Sequence, residues 1–135
     1  MERVVFEWVA RVYFEDTDSG GVVYHANYLK FMERARTEWL RSLGLNQAKL
    51  KQEEKVMFVV RKINIQYKIP ARFNDELVVH TDRTKTTDYS IILKQNIFRD
   101  TELITQGQVE IVCINSNLFK PMRIPKMTKQ LMETI

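Results

Sequence analysis

Residues 4–44, VVFEWVARVYFEDTDSGGVVYHANYLKFMERARTEWLRSLG, change their hydrophobic period once, and that change decides the fold. Up to Phe14 the period is two. Val4, Phe6, Trp8, Ala10, Val12 and Phe14 share one apolar face, while Arg3, Glu7, Arg11 and Glu15 fall on the other with Val5, Val9 and Tyr13. Such alternation is a strand with one buried face. From Tyr28 the steps become three and four. Tyr28, Met32, Ala35, Trp39 and Leu43 line up, Leu29, Phe31 and Leu40 widen the stripe, and Lys30, Arg34, Thr37 and Arg41 collect opposite. This is an amphipathic helix with a broad apolar face, stopped by Gly44. Between the two periods lies DTDSGG, residues 16–21, where the chain must turn.

Residues 46–55, NQAKLKQEEK, are polar and read as a short second helix or a surface loop. Four strands are expected after them. MFVVRKINIQYKI, residues 57–69, places Met57, Val59, Ile63, Ile65, Tyr67 and Ile69 on one face. PARFND is a turn in which Pro70 breaks pairing. Residues 76–87, 89–99 and 103–115 are rich in β-branched side chains. Short connections make consecutive strands antiparallel neighbours. The expected architecture is a single α+β domain over residues 1–135, a long helix wrapped by a five-stranded antiparallel sheet. That order resembles the hotdog fold. Hotdog protomers pair their sheets across a two-fold axis, which implies a homodimer or a homotetramer built as a dimer of dimers, and covers an exposed edge.

The composition is that of an ordinary globular chain, 44% hydrophobic and 28% charged over 135 residues. No apolar run is long enough to span a membrane. Glu2, Arg3, Glu7 and Arg11 interrupt the N-terminus and argue against a secretory signal. Cys113 is the single cysteine, so no internal disulfide forms, and a cytoplasmic location is expected. A net charge of +4 does not by itself argue for nucleic acid. Part of the excess sits in Lys120, Arg123, Lys126 and Lys129, read as a solvated tail, with attraction of an anionic ligand as the sharper alternative.

DTDSGG fails the tests for several known sites. Counted from Asp16, a calcium loop needs an oxygen ligand at the fifth position and Glu at the twelfth, and these are Gly20 and Asn27. No Gly-Lys-Ser/Thr ending follows to make a phosphate loop. No metal and no cofactor are expected. A strand-to-helix turn is the plain alternative, since Asp and Gly favour turns. The turn, however, delivers the chain to the start of a long helix, where free N–H groups and a partial positive charge can polarise a carbonyl. A carboxylate beside such donors is a minimal acyl-transfer site. Asp16 is assigned to turn structure. His25 falls at the helix boundary, on the inward side above Leu29 and Met32, where a histidine is either a packing residue or a participant.

YFEDTDSGGVVYHANYLKFMERAR, residues 13–36, resembles the signature of hotdog acyl-CoA thioesterases of the 4-hydroxybenzoyl-CoA thioesterase family. It is most similar to the branch associated with the Tol–Pal envelope system. The likeness continues through residues 58–75 and 120–126. It implies thioester hydrolysis with acyl-CoA as substrate and acyl carrier protein as a further candidate partner. It places Asp18 on the catalytic carboxylate, as nucleophile or general base toward water. His25 falls on the position whose backbone N–H faces the thioester carbonyl and whose side chain also takes part. Gly20, Gly21, Val22, Tyr24, Val59, Val60 and Arg61 complete the implied substrate-binding set. Asn27, Tyr28, Glu33 and Arg36 match the helical half, where a structural role is implied. Members acting on aromatic thioesters carry proline after the position of His25. Ala26 stands there in this chain, which implies an aliphatic acyl group.

The chemistry suits so small a site. A thiolate leaves readily, the thiol reference pKa being about 8.5, so no strong general acid is required. No Gly-x-Ser-x-Gly elbow is present. Glu33 and Arg36, at i and i+3, are expected to pair, Arg36 lying inside the apolar arc. His80 and Cys113 read as structural. Arg61, Lys62, Arg72 and the KPMR segment are candidates for the phosphates of coenzyme A. A hotdog dehydratase acting on hydroxyacyl thioesters and a non-catalytic acyl-thioester binding module are the rival readings.

Overall fold

The computed structural model describes residues 5–134; Val4 of the strand pattern lies outside them. β1 spans Phe6–Arg11, and Ala10 and Val12 are buried as the alternation requires. Phe14 departs from it, being 78% exposed. The period breaks because Asp16 accepts the Tyr13 N–H at 2.8 Å, which coils Phe14–Asp16 into one 3-10 turn. The Phe14 ring then meets Phe73 edge to face, 5.8 Å between centroids.

The long helix α1 runs Asn27–Ser42 and buries Tyr28, Phe31, Met32, Ala35, Arg36, Trp39 and Leu40. It ends as Gly44 requires. Gly44, at φ +82, donates to Arg41 O, and the following Leu45 donates to Leu40 O, both at 3.0 Å. That pair of bonds is the Schellman cap, and Leu45 is buried with Leu40 in the same apolar cluster. Residues 46–55 form a turn of helix α2 (Gln47–Lys49) and a π turn, Leu50–Glu54, that buries Leu50.

The sheet is antiparallel throughout: β2 Val56–Tyr67, β3 Glu76–Thr86, β4 Ser90–Arg99 and β5 Glu102–Asn115, in the order β1-β3-β4-β5-β2. A two-residue strand β6, Lys120–Pro121, pairs with β5. Five long strands wrapped on one helix are the hotdog arrangement expected. β2 does not carry one continuous face, however. Its register skips between Val60 and Lys62, where Arg61 bulges. Val56 and Phe58 therefore face the core before the bulge and Ile63 and Ile65 after it, while Met57 and Val59 turn the other way.

α1 packs on β1 and β3, and around Met32 it also meets β4 and β5. Gly107 lies where a Cβ would come within 2.6 Å of Met32 Cε and 3.0 Å of Gln95 O, so a side chain there would have to displace the Met32 tip and press on the β4 backbone. Beside it, Arg36 finds a partner other than the expected Glu33. Its Nη1 donates to Gln95 Oε1 at 2.8 Å, and Gln95 Nε2 donates to Met32 O and Thr81 Oγ1 at 3.0 and 2.9 Å. Glu33 is exposed and accepts from Thr37. Burial pulls the Arg36 pKa below the ordinary arginine value, partly offset by the charge of Glu33.

The C-terminal segment is not a solvated tail. Helix α3, Lys126–Met132, docks Thr128 and Met132 into the cluster of Trp39, Leu45, Val56 and Cys113, with Ile124 beside them. Of its basic residues, Lys129 and Arg123 both bond Asp88, at 3.0 and 2.8 Å, and hold that carboxyl below its usual range. Cys113 is buried, which pushes its thiol up to about 11 and keeps it protonated. His80 meets Glu7 across β1 and β3 at 3.3 Å.

Candidate active site

The acidic stretch folds as a small ribbon. Thr17 bridges Val23, Asp18 N–H donates to Val22 O, and Gly21 N–H returns to Asp18 O at 3.0 Å. Gly21 sits at φ +78, where a side chain would be strained. The ribbon hangs from residues 70–75, since Val23 N–H donates to Ala71 O and Val22 bridges Arg72.

That loop is held by Asp75, which accepts Arg72 N–H at 2.8 Å and Arg99 Nη1 at 2.7 Å. Burial alone would raise the pKa of Asp75, but these bonds outweigh it and keep the group below its ordinary 3.8. Stability gained from a depressed carboxyl is present above the unfolded value and lost as pH falls through the lower folded one. Asp75→Asn should therefore lower the urea midpoint at pH 7. The gap to wild type should close as pH drops below 3.8.

Extended backbone at Thr17 sends the two aspartates to opposite sides. Asp16 turns inward, 7% exposed, and ties the 3-10 turn to α1: Oδ2 accepts Tyr13 N–H and Oδ1 accepts Asn27 Nδ2 at 2.9 Å. Asp18 turns outward. Its Oδ1 accepts Gly20 N–H at 2.8 Å, and among the described residues its second oxygen has no partner. A Cβ at Gly20 would stand 3.1 Å from Oδ1, so glycine leaves the carboxylate open.

His25 lies two residues before α1 and is exposed, not packed over Leu29 and Met32. The helix begins at Asn27, so helical spacing does not apply to His25. Its ring rests on Tyr24 at 4.5 Å and meets Tyr67 at 6.2 Å. Among the described residues the N–H groups of His25 and Ala26 donate to nothing. A pocket of about 200 Å³ opens beside them, lined by Val23, His25, Tyr28, Tyr67, Ile69 and Pro70. Tyr28 accepts Ala71 N–H at 3.1 Å, and burial raises its pKa, so its hydroxyl keeps its proton. A larger cleft of about 500 Å³ at the far end of α1, lined by Leu45, Leu50 and Met127, holds no histidine or cysteine.

The single chain assembles only part of the expected set. Gly20, Gly21, Val22, Tyr24, Asp18 and His25 belong to the ribbon and the helix approach. Val59, Val60 and Arg61 do not join them. They sit on β2, Arg61 about 20 Å along the strand from Tyr67, and Arg61 is paired with Glu110. Tyr67 and Tyr28 were not singled out as site residues by the sequence. An aromatic at a strand end carries no signal of which helix it will meet.

Residues 12–132 match the model of the thioesterase-like superfamily. The acyl-CoA thioesterase YbgC of Haemophilus influenzae is 41% identical over 92% of this chain and 91% of its own. The acyl-CoA thioester hydrolase YbgC of Escherichia coli is 43% identical over 93% of this chain and 94% of its own. The chain belongs to this thioesterase family, among the YbgC-type enzymes. A probable thioesterase from Bartonella henselae superposes with a TM-score of 0.86 at 38% identity, covering 90% of this chain and all of that one.

Proposed function

We propose that this thioesterase hydrolyses acyl-CoA, with Asp18 as the reacting carboxylate and the start of α1 polarising the thioester carbonyl. The observation that carries the reading is an outward carboxylate with one free oxygen, on a ribbon that leads directly to unpartnered N–H groups at His25 and Ala26. As a base, Asp18 takes a proton from water while the oxygen attacks and the C–S bond breaks. As a nucleophile, it forms a mixed anhydride, which water then opens. Either way the thiolate leaves with the electron pair and the carbonyl oxygen gathers charge near the helix N–H groups. The His25 ring, exposed beside the pocket, is positioned to move a proton to or from water.

The acyl group is aliphatic in this reading, on the strength of Ala26. Thioesters of acyl carrier protein present the same functional group and are a second substrate class. Exposed Lys62, Arg72, Lys120 and Lys126 suit the phosphates of either carrier. β2 is an edge strand of the sheet. Pairing that edge antiparallel with a second copy brings the Tyr67 end of one β2 toward the half of the other that carries Val59 and Val60, which completes the site as a homodimer. In this reading the enzyme works in the cytoplasm beside the Tol–Pal system and needs no metal or cofactor.

The test is a panel of acyl-CoA esters from acetyl to palmitoyl with benzoyl-CoA, followed by free-thiol release. Higher kcat/KM for the aliphatic members is expected. Failure to release thiol from any ester would sink the reading. Hydration of crotonyl-CoA without thiol release from saturated esters would replace it by the dehydratase.

A further inference from the structure

We infer that Tyr67 is a positioning residue: its hydroxyl fixes the His25–Ala26 peptide so that the Ala26 N–H serves as a second donor to the thioester carbonyl. This rests on the reading that the carbonyl is polarised at the start of α1.

Tyr67 closes β2, and its hydroxyl donates to the His25 carbonyl at 3.1 Å. Among the described residues that carbonyl accepts no other bond. In a regular helix it would accept from Leu29, but the Leu29 N–H goes instead to Ala26 O at 3.2 Å. The tight first turn thus leaves the 25–26 peptide outside the helical ladder. The Tyr67 hydroxyl is what orients it. In a trans peptide the N–H points opposite to the C=O. Fixing the carbonyl toward Tyr67 therefore fixes the Ala26 N–H away from it. That N–H is unpartnered, and Ala26, at φ −71 and ψ −20, already has helical geometry. Without the hydroxyl the peptide can rotate, and a flipped peptide would present a carbonyl oxygen where the developing negative charge needs a donor.

Tyr67 is braced for this. Its ring lies 5.6 Å from the Tyr28 ring, and the N–H groups of Lys68 and Ile69 both bond Ile104 O behind it. The ring also walls the pocket beside His25. Ring and hydroxyl therefore have separate effects, the ring on binding and the hydroxyl on turnover.

Full-length variants assayed by thiol release separate them. Tyr67→Phe should lower kcat about tenfold, with KM within about twofold of wild type and thermal stability little changed. Tyr67→Leu should raise KM as well. Replacing Ala26 with lactic acid by nonsense suppression exchanges the N–H for an ester oxygen, and should lower kcat about 100-fold. Adding Tyr67→Phe to that ester should cost nothing more, because both changes remove one donor. A Tyr67→Phe enzyme with wild-type kcat, or a further tenfold loss in the ester background, overturns the inference. If wild type releases no thiol, or Asp18→Asn is as active as wild type, the reading of the site itself is wrong.

Discussion

Asp18→Asn is expected to lower kcat for acyl-CoA hydrolysis by about 10²–10⁴, with KM nearly unchanged. The substitution keeps the size of the side chain and its bond from Gly20 N–H, because the amide oxygen can still accept. It removes the free carboxylate oxygen, the atom that takes a proton from water or attacks the thioester. The neighbouring aspartate cannot replace it. Asp16 is buried, with both oxygens engaged by Tyr13 and Asn27. Steady-state thiol release on matched preparations checks this, and activity within tenfold of wild type would remove Asp18 from the mechanism. His25→Ala is the informative companion. Alanine keeps the backbone N–H, so the remaining activity measures what the helix start does without the ring.

Gln95→Leu should destabilise the fold by about 3 kcal/mol, a large part of the 5–15 kcal/mol usual for a domain of this size. Gln95 is fully buried at the centre of the sheet and is the hydrogen-bond partner of the Arg36 guanidinium. Leucine there leaves a buried positive charge without its acceptor, and removes the side-chain donor to Met32 O and Thr81 Oγ1. Adding Arg36→Met should restore most of the loss, because replacing both partners with apolar groups of similar volume avoids the stranded charge. Urea unfolding of the two single variants and the double variant tests this. A Gln95→Leu protein as stable as wild type would mean that Arg36 is satisfied elsewhere.

The Arg36 result shows where sequence spacing stopped being informative. Helical geometry put Glu33 within reach, and Arg36 inside the apolar arc was legible as a buried charge in need of a partner. The partner proved to be 59 residues away, on a strand whose facing residue depends on how the sheet curls under the helix. The two aspartates behave similarly. One acidic turn was legible, with Asp16 structural. That Asp16 reaches Asn27 while Asp18 faces out follows from the 3-10 turn, which ends the β1 alternation early. The Arg61 bulge erased the single face read for residues 57–69, because one unpaired residue reverses every side chain beyond it. A helix as short as α3 has little periodicity of its own, and is helical because Thr128 and Met132 find a place in the core.

By itself the sequence determined the local elements: the β1 strand, the helical pattern from Tyr28 to its Gly44 stop, the four strands that follow, and the acidic turn at the helix approach. Period, caps and turn residues act over a few positions, so they are written in the chain's own spacing. Tertiary structure decided which groups meet. It set Tyr67 against His25, turned Asp18 to the solvent, gave Arg36 to Gln95 and kept Val59 and Arg61 away from the ribbon of their own chain. Those outcomes depend on sheet order, curvature and register, which arise only when distant segments compete to bury the same apolar surface.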